Sequence, residues 1–521
     1  MSAANEALPA GAVARSPEAD RWLAAVAAIL GIMTPIMAST MANVAIADII
    51  GAYGIGQDRV HWLQTGFLAA TTVCMLLNAW FVHNLGVRNT YLFAAAMFIA
   101  GSVLGQFAPS FEWIVVARVM QGICAGLLQP LALGVIFTLF PRAERGKALG
   151  LFGFGTMMGP ALGPLYGGIM IDAFDWRFVF TGAIPFMVLG AVIGARYLPG
   201  KRADAPQARL NWISLGLVTG MIVGFLNGIT IVQREGWNDV TGLSMLLGSG
   251  LLMIIFIEYE CRTRTPMLNV RLFSVRSFSV VSLISVVFGM GMFGSFYLMP
   301  IFVRTVQGFT GTKAGLLLLY ADTVTIFVFP VAGWIAQRVN PVYPVTAGAF
   351  LFCVSSLGLS QIQVDTSFTA LVAWTMIGRV GFGIALPALT AAGLNGLDRD
   401  LLPYGAGTMT FIRMLGGALG VNMLAIILDN RTDHYAAQMA VTQIDTTGAT
   451  GQLLDNVTSM LAREGVSTFE RAPYAMTYFG DVIVARASAL SFQDGYLALA
   501  VAFGVATLCA LSLAGVRRGS T

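Results

Sequence analysis

The sequence predicts an all-α polytopic membrane protein: two six-helix bundles with two further transmembrane helices inserted between them, fourteen spans in all. Three observations carry this expectation. Of the 521 residues, 57% are apolar and only 11% are charged, less than half the roughly 25% charged residues of soluble domains. The apolar residues gather in long runs joined mostly by short polar links. Lys and Arg then alternate between the links, crowding every second one.

The first observation settles the solvent. So few charges cannot cover a water-facing surface, and a mean hydropathy of +0.76 points to a bilayer. An ordinary soluble enzyme and a disordered chain are both excluded. A net charge of +4, scattered along the chain, gives no footprint for nucleic acid. The five cysteines and three histidines form no ligand-spaced cluster, so neither a metal nor another cofactor is expected. No Gly-rich phosphate loop ends in Lys-Ser/Thr, which disfavours an ATP-driven pump. No Ser/His/Asp or paired-carboxylate constellation supports an enzyme. About 20 polar, Ala- and Pro-containing residues precede the first apolar run, and that run is too long for the apolar core of a signal peptide.

The runs give the elements in order. A spanning helix needs roughly 20 apolar residues, and such segments fall at 22–47, 60–82, 89–107, 112–138, 146–170, 177–198, 212–233, 240–260, 277–304, 313–336, 341–361, 368–394, 404–428 and 488–514. In lipid they can only be helices, because unpaired backbone groups have no water to bond. With both termini on one side, that side holds 18 Lys and Arg and the short links of the other side hold five. The rule that positive loops stay inside therefore places both termini in the cytoplasm.

The chain repeats itself. Arg118-Val119-Met120-Gln121-Gly122-Ile123 matches 379–384 at four of six positions, and Gly159-Pro160-Ala161-Leu162-Gly163 matches 416–420 at four of five. The offsets of 261 and 257 residues equate span 4 with span 12 and span 5 with span 13. Two parallel six-helix repeats with a substrate site between them are a transporter architecture. The expected organisation is a cytoplasmic tail 1–21, an N-terminal bundle 22–198, inserted spans 7 and 8 with a linker in 199–261, a C-terminal bundle 262–514 that includes an outer loop 429–487, and a tail 515–521.

The residues that carry a family resemblance lie in spans 4, 5 and 13. They are Arg118-x2-Gln121-Gly122-x3-Gly126, the pattern Gly155-x3-Gly159-Pro160-x2-Gly163-Pro164-x2-Gly167-Gly168, and Arg413-x2-Gly416-Gly417-Ala418-Leu419-Gly420. Over nearly its whole length the chain resembles the major facilitator superfamily, in particular the 14-span drug:proton antiporter group with EmrB- and QacA-like exporters. The resemblance implies a secondary exporter of hydrophobic or amphiphilic compounds, driven by protons, in a bacterial inner membrane. It implies that the span-5 glycines and prolines form the antiporter motif at the interface of the halves. Their four-residue spacing lets a neighbouring helix approach closely, which a plain packing motif also does. It further implies a proton-transfer role for Arg118. The substrate cavity is expected to include Thr40, Asn43 and Gln121. Twenty-five Met and 34 Phe suit a soft apolar cavity, though most must face lipid or other helices.

Charges inside spans are expensive there and so are functional candidates. Asp322 sits roughly 14 Å inside span 10, near the midplane, and Arg118 about 9 Å inside span 4. Arg379 and Arg413 lie at similar depths. Asp322 is the proton-coupling candidate with these arginines; the alternative is a static salt bridge to Arg379 or Arg413. For Arg118 the alternative is a helix anchor bonded to carbonyls.

Two departures from the family stand out. The span-1 stretch Ser39-Thr40-Met41-Ala42-Asn43-Val44-Ala45 is intact, but the carboxylate expected just before it is Ala38. Either coupling has moved, for which Asp322 is the candidate, or the protein is a differently coupled or uncoupled facilitator or metabolite exporter. Between spans 2 and 3, only Gly86 and Arg88 keep the usual pattern, and His83 replaces the acidic partner of the inner gate. The outer loop 429–487, with a helix-like stretch at 450–465 and a turn near Pro473, is a candidate dock for a periplasmic adaptor; the alternative is an outer cap. A non-transporting membrane sensor is the reading of a different class.

Overall fold

The computed structural model describes residues 17–141, 145–200, 210–236, 238–263, 268, 270–394, 402–442, 448–464 and 467–516. Most of both expected tails, part of the 199–261 linker and residues 264–267 of the link after span 8 lie outside them. All regular structure among the described residues is helical. In chain order the helices are α1 (Pro17–Val44), α2 (Ile46–Tyr53), α3 (Gln57–Val60), α4 (Trp62–Gln106), α5 (Phe111–Leu139), α6 (Arg145–Ala173), α7 (Phe178–Thr181), α8 (Ile184–Tyr197), α9 (Trp212–Glu235), α10 (Val240–Arg262), α11 (Arg276–Ile301), α12 (Gly311–Arg338), α13 (Val342–Leu359), α14 (Phe368–Leu394), α15 (Leu402–Thr442), α16 (Ala449–Arg463) and α17 (Thr468–Val516). A π-helical turn, Phe302–Val306, follows α11.

Twelve helices among the described residues are long and apolar enough to cross a membrane. The expected spans at 60–82 and 146–170 are not among the twelve. Their residues are nevertheless helical: the first opens α4 and the second is α6. The link expected between spans 2 and 3 is reduced to a single break in α4 at Gly86, whose φ of 81° suits glycine.

Packing divides the helices into two groups. α1, α4, α5, α6 and α8 pack together, as do α11, α12, α13, α14, α15 and α17. α9 and α10 pair with each other, and α9 rests against α4 and α15, where the groups meet. Asn211 caps α9 by accepting from the Ser214 amide at 3.1 Å. Asp239 caps α10 from Gly242 at 2.6 Å. α10 keeps a mostly exposed apolar face, including Leu247, Leu251 and Ile254, as a lipid-facing helix does.

The segment 429–487 is not a loop with a turn at Pro473. α15 runs on to Thr442, α16 follows close to the expected 450–465, and Pro473 lies inside α17. The proline is six residues into that helix, so the carbonyls its ring deprives of a partner are those of the first turns. Tyr435 donates to Asp494 at 2.9 Å and Thr432 to Ser491 at 2.9 Å, tying the two long helices together.

Candidate functional site

The span-5 glycines seat α6 on α1. A Cβ on Gly159 would lie 3.0 Å from the Met33 carbonyl, and one on Gly163 would lie 2.8 Å from the Met37 carbonyl and also meet the Thr40 hydroxyl. One on Gly167 would lie 2.9 Å from Met41 Cα, and Gly155 meets Ile29. The next residue, Gly168, turns to the other group and lies against Gly311 and Thr312 of α12, while Gly315 lies against Pro164. The motif therefore packs one helix face on α1 and its neighbouring face across the seam.

Around α5 the structure builds a buried polar cluster. Arg118 is fully buried. It donates from Nε to the Leu63 carbonyl at 3.1 Å, and from Nη1 to Gln121 at 2.7 Å. Nη2 reaches Ser39 and Gln64, each at 3.4 Å. Gln121 passes a hydrogen bond to Ser102 at 2.9 Å. The Phe67 ring lies 4.6 Å from the guanidinium. Each partner is neutral: no carboxylate pairs with Arg118 among the described residues. Ser39 is the residue of α1 that reaches Arg118; Ala38, the position of the carboxylate in the family expectation, is buried and brings no charge to α1 there.

The equivalent position in the second repeat is different. Arg379 of α14 forms an ion pair with Asp322 of α12, with side-chain exposures of 3% and 4%. The Phe296 ring lies 4.0 Å from the guanidinium. Of the two static partners considered for Asp322, the structure brings Arg379 and not Arg413. Arg413 on α15 is half-buried and joins no ion pair among the described residues. Behind Arg379 lies a small enclosed cavity lined by α11, α13, α14 and α17, with Tyr496 and Thr375 in its wall.

The two groups are latched at the end where α1 finishes, here called the distal face. Asn43 donates to the Phe296 carbonyl at 3.0 Å. Asp48 pairs with Arg304. Asp172, at the end of α6, accepts from the Gly311 and Thr312 amides at 3.0 and 2.7 Å. Thr310 accepts from Lys313 at 3.3 Å and, through its carbonyl, from Ala314 at 3.0 Å. Three free amides at the start of α12, those of Gly311, Thr312 and Lys313, are thus satisfied, two of them by the other half. Asn422 of α15 joins three parts, meeting His61 Nε2 at 3.1 Å and donating to Thr230 of α9 at 3.0 Å. Burial draws the Asp48 carboxyl above its usual range despite Arg304. Burial pulls Asp172 the same way, but the hydrogen bonds from Thr312 and Gly311 outweigh it and hold that carboxyl below the usual range.

The expected cavity residues Thr40, Asn43 and Gln121 are all buried and already bonded. Thr40 donates to the Met37 carbonyl at 3.0 Å; Asn43 and Gln121 make the contacts given above. At the opposite end, Arg88 binds the end of α8, with its amide on the Pro199 carbonyl at 3.1 Å and Nε on Leu198 at 3.2 Å. Gly86 supplies the backbone break before it, and His83 is exposed beside it. The sequence alternative of a carbonyl-bonded Arg118 matches its bond to Leu63, but its side-chain partners Ser39, Gln64 and Gln121, the Asp48 and Asp172 latches and the Asn422 junction were missed. Asp48 and Asp172 lay just beyond the assigned spans, where a lone carboxylate reads as an ordinary loop residue.

With the repeats, the glycine-seated α6 and the buried charges in place, comparison with known proteins decides the family. A sequence model described as Major Facilitator Superfamily matches residues 28–421. The chain belongs to the major facilitator superfamily. It is 23% identical over 400 residues to the lincomycin resistance protein LmrB of Listeria monocytogenes serovar 1/2a, covering 77% of this chain and 85% of that one. It is 26% identical over 432 residues to the multidrug transporter protein MdtP of Bacillus subtilis, covering 82% and 79%. Its fold matches the crystal structure of a bacterial homologue of the human lysosomal transporter Spinster, in an inward-facing and unoccupied conformation. There the TM-score is 0.59 at 15% identity, over 96% of this chain and 97% of that one. This superfamily chain is an integral membrane protein and a transporter, with relatives named for drug and antibiotic resistance.

Proposed function

We propose that the protein exports lipophilic or amphiphilic compounds across a bacterial cytoplasmic membrane in exchange for protons, with both termini in the cytoplasm. In this reading it belongs to the 14-span EmrB/QacA-like group, with bundles 22–198 and 262–514 flanking the inserted helices. Asp322 carries the coupling proton. The observation behind this is the buried Asp322–Arg379 pair: an ionised pair is costly at that depth, and it includes a carboxylate that gains and loses a proton. Arg379 sets the field around it, and Arg118 and Arg413 are the further candidates for the proton path. The relatives' names, LmrB and MdtP, support the substrate class.

The test is efflux from proteoliposomes under an imposed pH gradient, wild type beside Asp322→Asn, with a panel of lipophilic dyes and weak acids. Gradient-driven transport that is lost in Asp322→Asn, with substrate binding kept, is the expected result. Gradient-driven transport that survives the substitution refutes the role of Asp322. A second reading, an uncoupled facilitator or metabolite exporter, is favoured by one observation: Ala38 leaves Arg118 among neutral partners. It predicts wild-type transport that ignores the gradient.

The projecting parts of α15 and α17, with α16, offer exposed apolar side chains at Phe469, Met476 and Met460. We propose this segment as the dock for a periplasmic adaptor.

A further inference from the structure

The cavity behind Arg379 is lined by six polar side chains from four helices: Ser295 of α11, Ser355 and Ser356 of α13, Thr375 and Arg379 of α14, and Tyr496 of α17. It is enclosed, with about 10 Å3 for the centre of a water molecule, which is room for one. Ser355 is already committed to the Trp374 carbonyl at 2.7 Å. Three others are not: Thr375 Oγ1, Arg379 Nη2 and Tyr496 Oη are buried with no hydrogen-bond partner. A buried polar group left alone costs roughly 1–3 kcal/mol. Three such groups on residues that line one water-sized space match the two to four partners that a buried water needs.

The site has a bearing on Arg379 itself. Arg379 both pairs with Asp322 and lines this cavity. A proton on Asp322 removes the negative charge, and Arg379 cannot give up its own proton in compensation. The buried cation then needs other acceptors. The oxygens of Thr375 and Tyr496 are free to serve, directly or through the water. The charged and titratable groups around the site are Asp322 from α12, Arg379 and Tyr496; α11 contributes Ser295 and the Phe296 ring, and α13 contributes serines.

We propose that this cavity binds one water molecule and, with Tyr496 and Thr375, forms a second counter-site for Arg379 that holds its charge when Asp322 is protonated. The inference rests on the reading of Asp322 as the proton-carrying group. Tyr496 and Thr375 act through Arg379 and are positioning residues.

The test is infrared titration of the full-length protein in liposomes, following the carboxylic C=O band that Asp322→Asn removes. It needs no transported substrate. Tyr496→Phe and Thr375→Val each remove one acceptor from the protonated state, so each moves the midpoint of that band to lower pH, by about one pH unit. Thr507→Val removes a hydroxyl from α17 outside the cavity and leaves the midpoint in place. An unmoved midpoint in both cavity variants overturns the inference and leaves Asp322's role standing. An equal shift in Thr507→Val also overturns it, as a general loosening of α17. A wild type with no band that depends on Asp322 removes both readings together.

Discussion

Substitution within the Asp322–Arg379 pair has unequal effects on its two sides. Asp322→Asn leaves a guanidinium buried without its anion, a change worth about 3–5 kcal/mol when one partner of a buried pair is removed. The Phe296 ring at 4.0 Å faces the cation before and after the substitution and so cancels, leaving the expected loss at about 3–5 kcal/mol. Arg379→Gln strands a carboxylate instead, and a carboxylate can neutralise itself by taking up a proton. The remaining loss is that of a buried neutral polar group, about 1–3 kcal/mol. It grows as the pH is raised and holding the proton becomes harder. The double variant Asp322→Asn/Arg379→Gln has no buried charge and recovers most of the loss. Thermal unfolding of the four proteins in one detergent, at two pH values, reads the order directly. The expected order is wild type, double variant, Arg379→Gln, Asp322→Asn, with Arg379→Gln more sensitive to pH than Asp322→Asn, which has lost the titrating carboxyl. Equal damage from the two single variants at every pH, or a double variant no better than the worse single one, refutes the reasoning.

Two further outcomes follow from the distal face and the projecting helices. Asp172→Ala removes two amide acceptors from the start of α12, and since Asp172 is exposed the loss is at the lower end for a helix cap, about 1 kcal/mol. That shifts the balance of distal-closed and distal-open forms about fivefold, read as spin-label distances across the seam; an unchanged distribution refutes the latch. Because the Asp172 carboxyl is held below its usual range, its contribution is complete above the ordinary carboxylate range and is lost as the pH falls through the lowered value. The shift caused by Asp172→Ala is therefore constant through neutral pH. Deletion of 449–463 is expected to abolish capture of a co-expressed periplasmic adaptor while transport in proteoliposomes persists; unchanged capture refutes the dock.

Much of the fold was legible because the bilayer leaves few choices. Apolar length and the alternation of Arg-bearing links are strong signals, and they gave the helices and the two-half plan. The motif glycines were legible for the same reason: Gly159 and Gly163 repeat at four residues, and the structure shows α1 lying against them. The link at 83–88 was less legible, since a single positive φ at Gly86 is enough to break α4. The segment 429–487 misled because its polar composition reads as loop. Helices that continue beyond the membrane pack on each other and need no apolar stripe as wide as a span. Asp322 was visible as an isolated charge, but its partner was not: Arg379 and Arg413 lie at similar depths, and only the packing of α12 on α14 separates them.

The same packing explains how the two halves have come to differ in charge. Arg118 and Arg379 occupy matching repeat positions and both are buried. Each is backed by an aromatic ring, Phe67 in one half and Phe296 in the other. A buried guanidinium persists when its donors are satisfied, and either neutral oxygens or a carboxylate can do that. The first half uses neutral oxygens: Leu63, Gln121, Ser39 and Gln64 accept from Arg118. None of these partners is an acid, so the cluster carries the charge of Arg118 alone. The second half uses Asp322, and among these partners only a carboxylate changes its charge with a proton. In the proposed reading the two halves differ in the buried charge they carry: a fixed cation in one, and in the other an ion pair whose carboxylate can take up a proton. Asp322 belongs to α12, the helix that packs on the glycine-bearing α6, so a change in the Asp322–Arg379 pair acts on a helix that lines the seam.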